Sequence, residues 1–364
     1  MKKITKIITV VLTSVALFTS AYAGELTVTG SAKATYNITS GFSNLEKGLG
    51  IANHLDFTGT GETDFGTFKY SIQQEPGTDG TQDIVDQSLT LTTSIGTLGV
   101  FISEGGLDLE DGATRSVYAR PTDTGDPSGT QDNPDISSFN NVQFHSPAGL
   151  LPFGIVGKVA YAPDANGATV NLSTGVVTGG GPINDANDTG GTLSRGSTTI
   201  GSAVAYQITA APMAGLSIGA NYMSMEEQGL STATVAQDGE SGAAFIKYDA
   251  GAFGLGISKA LYAPFAATQV GQGVEYYDQM NYSVAFNVNE NLSISYEIEK
   301  SEKVIAETAG AAQSANVEAE SRGIQAAYTV GGLTLAVAHN SHDNVGYAAG
   351  KDAQNTVFAV TMAF

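Results

Sequence analysis

The sequence predicts an all-β protein: a closed, antiparallel transmembrane barrel of sixteen strands. Three observations predict it. Apolar and polar residues alternate with a period of two from residue 25 to the C-terminus, and no stretch after residue 24 sustains a 3.6-residue period. Very short links alternate strictly with long polar ones along the whole chain. The predicted strands cluster near the ~9–11 residues that a tilted strand needs to cross a bilayer.

Composition narrows the alternatives. A length of 364 residues suggests two or three domains as a prior, but all-β barrels run longer as one domain. The chain has no Cys, which excludes a disulfide scaffold, a thiolate metal site and a cysteine nucleophile. Asp plus Glu outnumber Lys plus Arg by 36 to 16, and a net charge of −20 excludes a nucleic-acid partner, since phosphate neutralisation needs excess cations. Hydrophobic residues make up 41% and are regularly spaced, which fits badly with disorder.

Residues 1–23 are a different kind of text. Lys2, Lys3 and Lys6 form a basic start, Ile7 to Phe18 an apolar stretch, and Ala21-Tyr22-Ala23 a small-x-small cleavage site. This is the layout of a secretory signal, too short and too rich in Thr and Ser for a spanning helix. The mature chain is expected to be 24–364, beginning at Gly24. It loses three lysines, taking the charge from −20 to −23.

The first strand is read over 25–37, where Leu26, Val28, Ala32, Ala34 and Tyr36 alternate with Thr27, Thr29, Ser31, Lys33 and Thr35. The next follow at 50–61, 66–75, 84–94, 97–104, 140–147, 153–161 and 198–209, carried by pairs such as Phe68/Tyr70 and Leu89/Leu91. The remainder are 215–224, 241–249, 252–261, 276–288, 292–302, 319–330, 333–341 and 355–364. Short links such as Asp64-Phe65, Ile95-Gly96, Ala250-Gly251 and Gly331-Gly332 have hairpin-turn composition. Long connections fall near 38–49, 76–83, 105–139, 162–197, 225–240, 262–275, 303–318 and 342–354.

An even strand number with short turns at one rim and long loops at the other is the outer-membrane barrel layout. In a bilayer a sheet spans only when it closes and loses its edges. Sixteen strands enclose an aqueous lumen, so the polar face points inward and the apolar face outward. Tyr36, Tyr70, Tyr161, Tyr222, Tyr248, Tyr296 and Tyr328 near strand ends fit an aromatic girdle.

On these residues the mature chain resembles a general bacterial outer-membrane porin, of the sixteen-stranded trimeric type. The resemblance is carried by Glu25-Leu26-Thr27-Val28-Thr29-Gly30, by His54 to Gly59 with Phe65-Gly66-Thr67-Phe68, and by Ser88-Leu89 through Ile95 to Gly99. Asn141 to Pro147 and the terminal Phe364, with apolar residues at alternate positions before it, complete it. The motifs are weak singly and strong in their order.

The resemblance implies a homotrimer of water-filled channels in the outer membrane of a Gram-negative cell, passing ions and small hydrophilic solutes passively. It implies contact with outer-membrane lipid and lipopolysaccharide, and assembly by the barrel-assembly machinery, with Phe364 as the signal. The third long loop, 105–139, is expected to fold inward and narrow the pore. It carries Asp108, Glu110, Asp111, Asp123, Asp126, Asp132 and Asp135 against Arg115 and Arg120. Charged rings and pore diameter set selectivity in such channels, so these acids are the candidate filter and cations the favoured ions. Porins of this type oppose the loop with arginines; here His54, Ser88 and His145 stand at the matching positions. Lys33, Lys69 and Lys158 share their inward parity.

Enzymatic chemistry finds little footing. His339 and His342 are three apart at a strand-to-loop junction, unlike a helical zinc motif, and the Gly-rich stretches lack the Lys-Ser/Thr of a phosphate loop. No cofactor is expected. Crowded carboxylates in the loops offer at most a loose Ca²⁺ or Mg²⁺ site. The alternatives are a substrate-specific channel, a barrel enzyme or an adhesin.

Overall fold

The structure, a computed structural model, describes residues 24–41, 46–76, 82–124, 130–163, 169–170, 177–178, 199–228, 239–264, 273–306 and 315–364. The leader expected at 1–23 and Asp126 lie outside the described residues.

Sixteen strands close into one antiparallel barrel. The first seven are β1 (Leu26–Gly41), β2 (Glu46–Thr63), β3 (Gly66–Pro76), β4 (Gln82–Thr93), β5 (Gly96–Ile102), β6 (Asn141–His145) and β7 (Val156–Ala162). After a small ribbon of β8 (Thr169–Val170) and β9 (Val177–Thr178), the barrel resumes with β10 (Thr199–Met213), β11 (Leu216–Gln228), β12 (Gly239–Ala250) and β13 (Phe253–Ala263). It ends with β14 (Val274–Asn287), β15 (Leu292–Ile305), β16 (Val317–Val330), β17 (Leu333–Asp343) and β18 (Ala353–Ala363). β1 pairs with both β2 and β18, which closes the sheet.

All sixteen expected barrel strands are present. Several run further toward the long loops than the alternation reaches; β2 begins at Glu46 and β11 ends at Gln228. The ribbon β8–β9 corrects the reading of 162–197 as wholly loop. Two residues per strand are too few to show a period.

The period of two sets the two faces. Tyr206, Ile246, Leu255, Ile324 and Val360 are exposed on the exterior, as are Tyr70, Tyr161, Tyr222, Tyr248, Tyr296 and Tyr328. The hydrophobic core lies inside the barrel. Leu107, Ile136 and Phe139 of the third long connection are almost fully buried against Ala160, Ala203, Ala205, Met223 and Tyr262 of β7, β10, β11 and β13. Burial of such side chains stabilises by about 1.5–3 kcal/mol each, so they anchor the connection to the wall. Alanine at the inward positions leaves the room they need. Glycine leaves more: a Cβ on Gly256 of β13 would lie 1.8 Å from the Ala113 carbonyl oxygen.

Candidate functional site

Residues 103–124 and 130–140 form a strap inside the barrel, with short 3₁₀ turns at Glu110–Ala113, Pro121–Asp123 and Ile136–Ser138. Inward polar side chains of the wall fix its backbone at points spread around the barrel. Gln207 of β10 donates to the Leu107 carbonyl at 3.0 Å, and the Leu109 N–H donates to Asn221 of β11 at 3.0 Å. Ser258 of β13 and Ser283 of β14 donate to the carbonyls of Glu110 and Ala113, at 2.7 and 2.6 Å. The N–H groups of Val117, Tyr118 and Thr122 donate to Ser295, Gln325 and Glu299, each at 3.0 Å. Asn355 of β18 donates to the Thr124 carbonyl at 2.7 Å. With its root held by Asn141 and Gln143 of β6 and its apolar anchors against β7, the strap therefore covers the wall from β7 to β18, and the lumen beside it is bounded mainly by β1–β6.

Arg120 is the hub of the strap. Its guanidinium, 10% exposed, lies 3.0 Å from Glu110, 3.0 Å from Asp123, and 3.6 Å from both Asp132 and Glu299, and it also pairs with Asp111. Burial works against its charge, but Glu299, Asp111 and Asp123 hold the guanidinium protonated well above its usual range. The acids divide by exposure. Asp111, Asp123 and Asp132 keep 56%, 44% and 65% of their side chains open, whereas Glu110 keeps 10% and also accepts the Asn133 N–H. Asp135 is a structural cap, accepting from the N–H groups of Leu107 and Ile136 at 2.9 and 2.6 Å.

Position inside the barrel raises the strap carboxyls. Burial, reinforced by the charge of Asp135, pushes Asp108 up to about 7. Burial pushes Asp111 up to about 6 despite the pull of Arg120. Glu110 is raised well above the carboxylate range by burial and then by Asp108, and burial raises Asp135.

The sequence-expected wall residues all point inward on the side facing the strap. Lys33 of β1 lies 5.7 Å from the Tyr118 ring. His54 of β2 is 3.2 Å from Ser31 Oγ and 3.6 Å from Asp56. Lys69 of β3 is exposed, in register with Thr60 and Thr90, and Ser88 of β4 is buried in register with Ser71. His145 of β6 is 2.7 Å from Gln143 Oε1, stacks on Phe101 and faces Lys158 across the ladder. Among the described residues neither histidine contacts a strap carboxylate.

Acids of the wall escape a search for cations. Asp86 of β4 lies within electrostatic reach of Glu104, Glu75 and Asp56, so this wall is acidic as well. The signal was available, since Asp56 shares the parity of His54. Glu297 and Glu299 of β15 were also missed; Glu297 is fully buried and accepts the hydroxyls of Thr114 and Ser116.

Two other arrangements bear on chemistry. Ser321 Oγ lies 2.8 Å from His342 Nδ1, and His342 Nε2 lies 3.4 Å from Asn355, but all three are almost fully buried beneath the strap. Among the described residues no group of three or more His, Cys, Asp or Glu could hold a metal ion.

No protein-family model matches the chain, and no curated protein sequence matches it. Solved structures do. Salmonella typhi OmpF, in complex with daunomycin, is similar at 12% identity and a TM-score of 0.65, over 95% of this chain and 100% of that one. The barrel has the porin fold. The anion-selective porin from Comamonas acidovorans matches at 11% identity and a TM-score of 0.63, over 94% of this chain and 100% of that one. The trimer form of OmpT, an outer membrane protein of Vibrio cholerae, matches at 10% and 0.59, over 94% and 100%. At such identities the likeness is one of fold. The porin fold does not set the sign of selectivity, since one neighbour is anion-selective while the exposed strap side chains here include three aspartates.

Proposed function

We propose that this chain is an outer-membrane pore through which ions and small hydrophilic solutes diffuse passively, with a preference for cations. The strap carries the reading: a closed sixteen-strand sheet, apolar outside, holds a loop against half of its inner wall. Closure satisfies every backbone edge in lipid, and this strand number encloses water. Carboxylates line both the strap and the facing wall, so the field inside concentrates cations. Lys33, His54, Lys69, Ser88 and His145 form the wall opposite the filter and moderate that preference.

The trimer form of a structural neighbour supports a homotrimer. Residues 1–23 direct export, the assembly machinery reads Phe364, and outer-membrane lipid with lipopolysaccharide surrounds the apolar band. Catalysis is no part of this reading, because the Ser321–His342–Asn355 chain is inaccessible. The test is single-channel recording in a planar bilayer with a salt gradient and a solute-size series. Discrete steps with cation-selective reversal are expected. An inert bilayer would overturn the pore, and chloride preference in dilute salt would overturn its sign.

A further inference from the structure

Resting on the pore reading above, we infer that the lumen is charged in two tiers along its axis, acidic toward the long loops and basic toward the short turns, and therefore rectifies ionic current. The inward cations of the wall stand close to the short turns. Lys69 is three residues into β3, Lys158 two residues into β7, and Lys247 three residues before the end of β12. Arg115 of the strap joins this tier, its Nη2 lying 2.6 Å from Asp249 near the β12–β13 turn.

The inward acids stand higher. Glu75 is nine residues into β3, Asp56 is seven residues before the end of β2, and Asp86 is seven before the end of β4. Asp111, Asp123 and Asp132 share this level, because Arg120 ties them to Glu299, seven residues into β15. On β3 the tiers can be compared directly: Lys69 and Glu75 point inward six residues apart. With ~3.3 Å per residue and a strand tilt of ~40°, that is about 15 Å along the axis.

Exceptions in each tier have partners of their own. In the upper tier Arg120 is enclosed by carboxylates, Lys33 lies against Tyr118, and Lys303, eleven residues into β15, lies over the Tyr347 ring. Below, Asp249 is held by Arg115 and Glu62 accepts from Thr67. A separation of about 15 Å exceeds the Debye length of about 8–10 Å in dilute salt, so the tiers act as distinct zones.

The acidic zone holds mobile cations and the basic zone mobile anions. When the long-loop side is positive, cations leave the acidic zone and anions leave the basic zone toward one another. Carriers then accumulate where the zones meet, and conductance is high. Reversed polarity drains that junction.

Current–voltage curves of the full chain, in about 0.1 M and about 1 M KCl, test this directly. The chain has no cysteine, so Ile95→Cys in the exposed β4–β5 turn, modified from one side with a bulky thiol reagent, reports orientation. In dilute salt the current with the long-loop side positive is expected to exceed the reverse by about 1.5- to 3-fold, falling toward unity in concentrated salt. Lys69→Gln/Lys158→Gln/Lys247→Gln should lose the asymmetry, and Glu75→Gln/Asp86→Asn should lower it from the other tier. A conducting parent with a symmetrical or oppositely directed curve in dilute salt overturns the two tiers and leaves the pore standing. A correctly folded parent that never conducts overturns the pore, and the tiers with it.

Discussion

Gly30 and Phe364 exchange both of their backbone hydrogen bonds, N to O at 2.9 Å in each direction. The pair adds the last rung to the seam between the first and last strands, next to Ser31 and Ala363. A Cβ on Gly30 would lie 2.6 Å from the His54 carbonyl oxygen and 3.1 Å from the Phe364 ring, so glycine lets the terminal side chain lie over the seam. An open seam would present two unpaired strand edges to lipid, each orphaned group there costing several kcal/mol.

Deleting Phe364 should therefore lower the yield of folded barrel in the outer membrane severalfold, while export and signal cleavage proceed. Heat-modifiable migration on a denaturing gel reports the folded fraction. Wild-type levels of the deleted chain would remove Phe364 from assembly. Gly30→Val, which crowds the same rung, should act in the same direction but less strongly.

Arg120 tests what holds the strap. Arg120→Gln leaves Glu110 and Glu299 without their cation, a loss of about 3–5 kcal/mol for a broken buried pair. The strap should then leave the wall, raising single-channel conductance and opening residues 105–139 to a broad-specificity protease. Arg120→Lys should be intermediate, because a point ammonium cannot serve several carboxylates as a planar fork does. Unchanged conductance and protease resistance in Arg120→Gln would show that the apolar anchors suffice.

Alternation made all sixteen barrel strands legible, because a barrel half in water and half in lipid enforces a period of two throughout. Most short turns were legible to within a residue, but β10 runs to Met213, four residues past its expected end, and β7 begins at Val156 rather than 153, because Pro152–Gly154 form a 3₁₀ turn. The β4–β5 turn lies at Ser94-Ile95, since Gly96 already pairs with Thr93, one residue from where composition places it. What the sequence hid was the side of the barrel that the strap covers. Ser258, Ser283, Ser295 and Gln325 look like any lumen residues until their partners are known. A strand-interior glycine was the available clue, since Gly256 marks the close approach of Ala113. Exposure was also hidden: Glu110 and Asp111 are neighbours in sequence, yet one is clamped and the other open.

That glycine yields a prediction of its own. Any side chain at Gly256 collides with the Ala113 carbonyl, and backbone cannot yield as a flexible side chain would. Gly256→Val should displace the strap toward β1–β6, narrowing the lumen, with conductance reduced by half or more, to an order of magnitude, and the barrel still heat-modifiable. A Gly256→Val pore of wild-type conductance would place the strap elsewhere.

Acidification should weaken cation preference, with strap carboxyls as the origin. A raised carboxyl is an anion only above its pKa, so lowering the pH from about 8 to about 5 neutralises Asp108, at about 7, and then Asp111, at about 6. The histidines of the facing wall are the other candidates, since imidazole titrates near neutrality, but His54 and His145 both have nearer partners than the strap. Reversal potentials against pH should therefore keep most of their shift in His54→Gln/His145→Gln and lose most of it in Asp108→Asn/Asp111→Asn. The opposite ranking would return the response to the histidines.

Exposure also ranks the acids of the filter at fixed pH. Asp111, Asp123 and Asp132 are open to the lumen, whereas the Glu110 carboxylate is spent between Arg120 and the Asn133 N–H. Arg120 serves all four, so exposure separates them: a carboxylate open to water acts on a passing ion, while a buried one that also accepts a backbone N–H projects little field. Asp111→Asn/Asp123→Asn/Asp132→Asn should lower the cation-to-chloride permeability ratio by about 2- to 5-fold in dilute salt and leave barrel stability nearly unchanged. Glu110→Gln should behave inversely. It loosens the strap by about 1–3 kcal/mol, since a buried charge-assisted bond is lost, and shifts the reversal potential little while the strap stays docked. Reversal potentials and thermal unfolding of the two variants, measured side by side, decide the matter. Equal loss of selectivity in both would mean that the strap acids act as one undivided charge.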